Sequence, residues 1–301
     1  MRVLVTGASG YLGGLLVPRL VLEGHDVRAA ARRPESLAER GWRDRVEVVR
    51  YEAADADLTA SAVEGVDAVL YLVHGLEGTD FAERDREAAG VMAEACTAAG
   101  VDRIVYVSGL VPLEPDRDLS DHLTSRLEVE ELLGTSQAST ITLRAAIVLG
   151  AGSTSFELMG QISRRFPVQA LPRLASSRVQ PVAEDDLLEA ALGALVVDSP
   201  TRPYDVAGPE VITYGDLLGA YTSAAGLLRP RVPAPLLPTD LVGFVAAQVT
   251  SLPSATVRAL VESMSHDMVA REDDFVRDLL PEDHRLLGVR EALERAGVDR
   301  H

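Results

Sequence analysis

The feature that most constrains this chain is a set of three spaced glycines placed between a short apolar strand and an apolar helix. Arg2-Val3-Leu4-Val5 reads as the strand, and Thr6-Gly7-Ala8-Ser9-Gly10-Tyr11-Leu12-Gly13 follows at once. Leu12, Leu15, Leu16, Arg19 and Leu20 then recur with the 3.6-residue period of a helix. Such a turn brings backbone N–H groups close to an anion, because side chains at the glycine positions would block the approach. Gly7 permits the tight turn, Gly10 the close contact and Gly13 the packing of helix on strand. A glycine triplet alone is a weak signal. With the strand before it and the helix after it, it marks a pyrophosphate cradle, and so a dinucleotide site.

The first half continues as alternating strands and helices. Apolar or β-branched runs recur at Val27–Ala31, Val46–Val49, Ala68–Val73, Ile104–Val107 and Thr140–Leu143. A helical pattern spans Phe81 to Ala99, and Gly24 and Gly100 stand where helices end. Repeated βα units predict an α/β fold of the Rossmann type, a doubly wound parallel sheet covered by helices on both faces. After Leu149 the pattern loosens into helices punctuated by prolines, with a helix expected over Glu184–Val197 and a returning strand over Tyr204–Ala207. Without a low-complexity linker or internal repeat, residues 1–301 are expected to form one NAD(P)-binding domain. Residues 1–150 would be the cofactor-binding core and 151–301 mainly the substrate side. The apolar segment Leu236–Val261 is interrupted by Asp240, Gln248 and Arg258, and is read as helices lining a cleft rather than as a membrane or partner surface.

Charge narrows the partners. Forty-six acidic against 29 basic residues give a net charge of −17, which disfavours nucleic-acid phosphates and anionic membranes as general partners. Every basic residue is arginine, so no lysine is present to form a Schiff base or act as a general acid. Cys96, the only cysteine, lies on the apolar face of a predicted helix and is expected to be an inert, packed thiol. The opening strand leaves no room for a signal peptide, and no apolar run reaches membrane-spanning length. A soluble, cytoplasmic protein that takes a small-molecule substrate and does not insert into membranes is the expectation. The oligomeric state is left open.

The end of the second strand bears on which dinucleotide is bound. An NAD(H) site places Asp or Glu there for the ribose hydroxyls, whereas this chain has Arg32 and Arg33, which suit the 2′-phosphate of NADP(H). NADP(H) is therefore the expected preference, with NAD(H) possible and Ser9 adding a hydroxyl to the same phosphate. Glu52, after the third strand, is a candidate acceptor for the adenine amino group, or a surface acid. Val73-His74-Gly75 ends the fourth strand, where a parallel sheet presents loops to its ligand.

These residues resemble the short-chain dehydrogenase/reductase superfamily, in its atypical NAD(P)H-binding branch. The Thr6–Gly13 turn carries the first half of the match. Leu143–Ala146, Gly150–Glu157, Arg178–Pro181 and Ser263–Arg271 carry the second. The branch is similar to NmrA-like proteins and to the nucleotide-binding accessory subunit of mitochondrial complex I. The resemblance implies a fold and a cofactor more sharply than a reaction.

Enzymes of that superfamily use a Tyr-x-x-x-Lys pair on the helix after the fifth strand. Here the helix reads Ser120-Asp121-His122-Leu123-Thr124-Ser125-Arg126, and the two places fall on His122 and Arg126. None of the seven tyrosines has a basic residue four positions later. Arg126 is a candidate to hold ribose hydroxyls, and His122 a candidate acid or base, or a polar filler where catalysis has been lost. Ser108, at the end of the fifth strand, is a candidate to bind a carbonyl oxygen. Tyr204, Tyr214 and Tyr221 are further possible proton donors, and Phe244 and Met264 are expected to cover the nicotinamide end. The leading expectation is an NADP(H)-dependent oxidoreductase acting on a small, fairly apolar molecule. The alternatives are a non-catalytic NAD(P)H-binding redox sensor or assembly protein, and a non-redox isomerase or cyclase on the same scaffold. Glu184-Asp185-Asp186 reads as the acidic start of a helix, and no histidine shows metal-ligand spacing.

Overall fold

The computed structural model describes residues 1–73, 80–112 and 120–298. Its centre is a seven-stranded sheet whose neighbouring strands are all parallel. The strands are β1 (Arg2–Val5), β2 (Asp26–Ala31), β3 (Glu47–Arg50), β4 (Ala68–Tyr71), β5 (Arg103–Gly109), β6 (Ser139–Ala145) and, after four short strands, β11 (Arg202–Val206). Those four are β7 (Val148–Leu149), β8 (Gln169–Leu171), β9 (Arg178–Val179) and β10 (Val182–Ala183), while β12 (Ile212–Thr213) and β13 (Arg231–Pro233) follow β11. The order across the sheet is β11-β6-β5-β4-β1-β2-β3. The winding reverses between β1 and β4, and the carboxyl ends of these strands open a crevice there.

Alternation along the strands decides which helices cover which face. Val3, Val5, Leu70 and Val105 face one apolar core, and Leu4, Val69, Tyr71 and Ile104 the other. Helix α1 (Tyr11–Leu22) covers the first face through Leu16, Val17 and Leu20. Helices α2 (Ala56–Val63), α3 (Phe81–Ala99) and α4 (Asp121–Leu133) cover the second, with Met92, Cys96 and Leu133 fully buried. Each fully buried aliphatic side chain contributes roughly 1.5–3 kcal/mol of transfer free energy. Glycine-ended helices occur as the sequence predicts: Gly24 and Gly100 both have positive φ, at 84° and 69°. Burial pushes the Cys96 thiol up to about 12, as expected for a packed, inert cysteine.

The second half wraps around this frame. Helix α5 (Thr154–Arg165) follows β7, and α6 (Glu184–Val196) joins α1 on the first face. Helices α7 (Tyr214–Ala224), α8 (Thr239–Val249), α9 (Ser254–Ser263), α10 (Asp274–Asp278) and α11 (Val289–Arg295) follow. The returning strand pairs with β6 from Arg202↔Ile141 to Val206↔Ala145, so residues from beyond 200 complete the central sheet. The short pairs β7–β10, β9–β12 and β8–β13 tie the remaining helices over the carboxyl end of the sheet. The loop after β2 is anchored in the first core by Leu37 and by Trp42, the only tryptophan. No described helix is long and apolar enough to cross a membrane.

Candidate functional site

The turn between β1 and α1 has the geometry that a phosphate requires. Gly7 adopts φ 66°, and the Gly10 N–H donates to its carbonyl at 2.9 Å, closing the loop. A Cβ on Gly13 would overlap that same carbonyl and lie 2.7 Å from the Ala8 Cα, so only glycine lets α1 approach β1 this closely. Gly10 starts α1 with no side-chain cap, and no acid occupies the first turn. The N–H groups of Tyr11, Leu12 and Gly13 therefore lack intrahelical acceptors and face outward with the positive end of the helix dipole. These residues fit a dinucleotide pyrophosphate.

From this turn a cavity of about 470 Å³ runs beneath the second half of the chain. Gly10–Gly13 form one end. Val107–Leu110 and Ala145–Val148, at the carboxyl ends of β5 and β6, form a wall, and α4 adds His122 and Arg126. The far end is apolar, with Leu158, Ile162, Leu174, Val242, Leu260 and Met264. No carboxylate lines the cavity among the described residues, and Arg126 is the one guanidinium in its wall.

The structure brings the two catalytic candidates into this cavity. Ser108 is buried at the end of β5 and lines the wall. The Arg126 Nε–H donates to His122 Nε2 at 3.2 Å, which places the ring proton on Nδ1. Burial, reinforced by the Arg126 charge, pushes the His122 imidazole down to about 3. The ring is neutral at ordinary pH and offers one N–H donor instead of a titrating acid. Arg126 also donates to the Val107 carbonyl at 3.3 Å, fixing its head at the cavity wall.

Tyr11 and Leu12 line the cavity beside the glycines. The Tyr11 hydroxyl bonds the Glu184 carboxylate of α6, and burial together with that bond raises its pKa. Thr6 has a different task. Its hydroxyl donates to the Leu70 carbonyl at 3.2 Å and accepts from the Leu72 N–H at 3.0 Å, clasping β1 to β4 where the winding reverses. Leu72, rather than Val73, faces the cavity, and Val73 packs on the second core. His74 and Gly75 lie outside the described residues. Arg32, Arg33, Ser9 and Glu52 are exposed beyond the cavity wall, around the carboxyl ends of β2 and β3. Of the tyrosines considered as donors, Tyr214 lines the cavity. Tyr204 instead hydrogen-bonds Ser199 and Asp278, and Tyr221 packs edge-on against Phe156.

Phe244 is a further correction. Phe244 does not cover the cavity: it is 51% exposed on the outer side of α8, whose opposite face supplies Val242 and Ala246 to the wall. Helical spacing puts residues 242 and 246 together and turns 241, 244 and 245 away from them. Two residues at the site were not connected with it by the sequence. Arg40 reaches back from the loop after β2 and donates to the Ser9 carbonyl at 3.1 Å, its guanidinium beside Gly14. Glu184 arrives from α6. Among the described residues no group of three His, Cys, Asp or Glu is placed to hold a metal.

Residues 7–166 match the profile of a family described as NAD(P)H-binding. The chain belongs to this family. An uncharacterized protein of Mycobacterium tuberculosis is 31% identical over 238 residues, covering 77% of this chain but 24% of its own length. The chain thus spans about a quarter of that relative. A ceramide reductase of Caulobacter vibrioides is 31% identical over 191 residues, covering 61% of this chain and 57% of the reductase. Among solved structures, a Citrobacter sp. triphenylmethane reductase complexed with NADP(H) superposes with a TM-score of 0.75 at 19% identity, covering 98% and 100% of the two chains. An NADPH-dependent quinone oxidoreductase of Escherichia coli, complexed with NADPH, gives 0.76 at 19%, covering 97% and 99%. Both share the fold.

Proposed function

We propose that this NAD(P)H-binding protein is an NADP(H)-dependent oxidoreductase that delivers hydride to a small, apolar acceptor without a Tyr-x-x-x-Lys pair. The observation that carries the reading is the apolar cavity that joins the glycine turn to His122, Ser108 and Arg126 and contains no carboxylate among its described residues. The dinucleotide, when bound, supplies the hydride. The chain's own residues supply polarisation rather than a strong acid. His122 Nδ1–H and the Ser108 hydroxyl donate to the acceptor oxygen, and the Arg126 charge steadies the negative charge that develops there.

A neutral imidazole is a poor proton donor, and that limits the acceptors that suit this site. Those whose reduced form is a stabilised anion fit best, because the proton can follow from solvent: a quinone giving a hydroquinone, or an enone giving an enolate. The apolar lining excludes highly hydrated substrates such as free sugars. The quinone, dye and ceramide reductases that resemble this chain act on molecules of matching hydrophobicity, which supports the same class. For the cofactor, Arg32 and Arg33, with Arg40 beside Ser9, give three guanidinium groups around the end of β2 where the 2′-phosphate of NADP(H) would lie.

The test is consumption of NADPH, followed by absorbance, with a panel of quinones, enones and aldehydes. Turnover with the first two classes, reduced at least tenfold in His122→Phe, supports the reading. Tight NADPH binding with no turnover on any member would replace it with a sensor role.

A further inference from the structure

The outer surface over the far end of the cavity differs from the rest of the molecule. It is built from α5, β8, β13, α8 and α9, joined by the β8–β13 pairing and by a small core of Leu158, Leu174, Ala246, Val257 and Val261. Eight of the twelve large apolar side chains that the described residues leave exposed belong to this lobe. Leu236 is 94% exposed and Leu228 91%, with Leu241, Phe244 and Val245 along the outer side of α8. Packing within the chain does not explain them, because the inner side of α8 already serves the cavity. Exposed apolar side chains concentrated on one lobe in this way mark a contact site.

The charge of the lobe is also reversed. Arg164, Arg165, Arg173, Arg229 and Arg258 have no carboxylate partner among the described residues. Residues 158–178 contain no acid and residues 226–261 only Asp240. In a chain of net charge −17, five arginines without a carboxylate partner on the elements that carry the exposed apolar side chains set this lobe apart from the rest of the surface. We propose that this lobe seats peripherally on an anionic lipid surface. Leu236, Leu241 and Phe244 would enter the headgroup boundary, and the arginines would meet lipid phosphates. A second copy of the chain is the poorer occupant, because a twofold contact would set the same unpaired arginines against one another. The proposal does not depend on the oxidoreductase reading.

The experiment is co-sedimentation of the full chain with vesicles of phosphatidylcholine alone and of equal parts phosphatidylcholine and phosphatidylglycerol. Binding should be at least tenfold stronger to the mixed vesicles and should fall as salt rises. Each arginine held near the surface contributes roughly fivefold, so Arg164→Gln/Arg165→Gln/Arg173→Gln should lower binding by about a hundredfold. Leu236→Ser/Phe244→Ser should weaken it at least tenfold while leaving NADPH affinity unchanged, which also reports that the variant is folded. Equal binding to both vesicle types, or none to either, overturns the proposal. So does a wild-type dimer in sedimentation velocity that becomes monomeric in Leu236→Ser/Phe244→Ser.

Discussion

In the fold, burial and the Arg126 guanidinium keep the His122 ring neutral down to about pH 3, whereas an unfolded chain protonates it near the ordinary histidine value of 6.5. Between these values the unfolded state binds the extra proton. The stability this site contributes is therefore complete above pH 6.5 and is lost progressively as pH falls. Urea denaturation at pH 7 and pH 4.5 should show His122→Phe losing roughly 2 kcal/mol less than wild type across that interval. At Gly13 the requirement is steric. Gly13→Ala puts a methyl into the Gly7 carbonyl and should weaken NADPH binding by more than tenfold, with a stability loss of about 1–3 kcal/mol by thermal melting. Arg32→Ala should raise the NADPH dissociation constant about 10–100-fold and leave that for NADH unchanged, because a charge-assisted bond to the 2′-phosphate is worth about 1.5–3 kcal/mol. Calorimetry with both cofactors decides it. The glycine turn was legible because its demands fall on adjacent backbone atoms. Arg40 and Glu184 were not, since they reach the turn from 31 and 173 residues away and no local pattern records such a meeting.

The three acids that open α6 read in the sequence as partners of a helix dipole, and each proves to hold a different neighbour. Glu184 bonds Tyr11, Asp185 bonds Arg19 of α1, and Asp186, fully buried, accepts from the Leu287 N–H at 3.0 Å and pairs with His284 at 2.7 Å. Asp186→Ala would strand a buried backbone donor and should cost about 2–4 kcal/mol in chemical denaturation while sparing NADPH affinity. Helix α8 shows where element-level reading stops. Its run from Leu241 to Val249 is apolar on both sides, so periodicity gives a helix but not which side meets the cavity. Only the packing of Val242 and Ala246 against their neighbours decides that.

At the scale of the whole molecule, the α/β architecture was legible because each strand alternates between two cores and each βα unit repeats the same handed step. The closing strand was legible as a short run but not as a neighbour of β6, a pairing set by tertiary contacts. The first core draws Leu16 and Val105 from one half of the chain and Leu187, Tyr204 and Phe275 from the other. We propose that both halves form one cooperative unit. Circular dichroism and fluorescence should then trace one coincident urea transition, and two separated transitions would refute it. Saturation with NADPH at a hundred times its dissociation constant should stabilise the native state by about 2.7 kcal/mol.

Trp42 gives this architecture its own optical reporter. The indole is sequestered two residues beyond Arg40, in the loop that carries Arg32 and Arg33, and the chain has no other. Its emission overlaps the absorption band of reduced nicotinamide. A single unlabelled titration can therefore follow energy transfer from a known place in the loop after β2, and separate occupancy from turnover before any acceptor is identified.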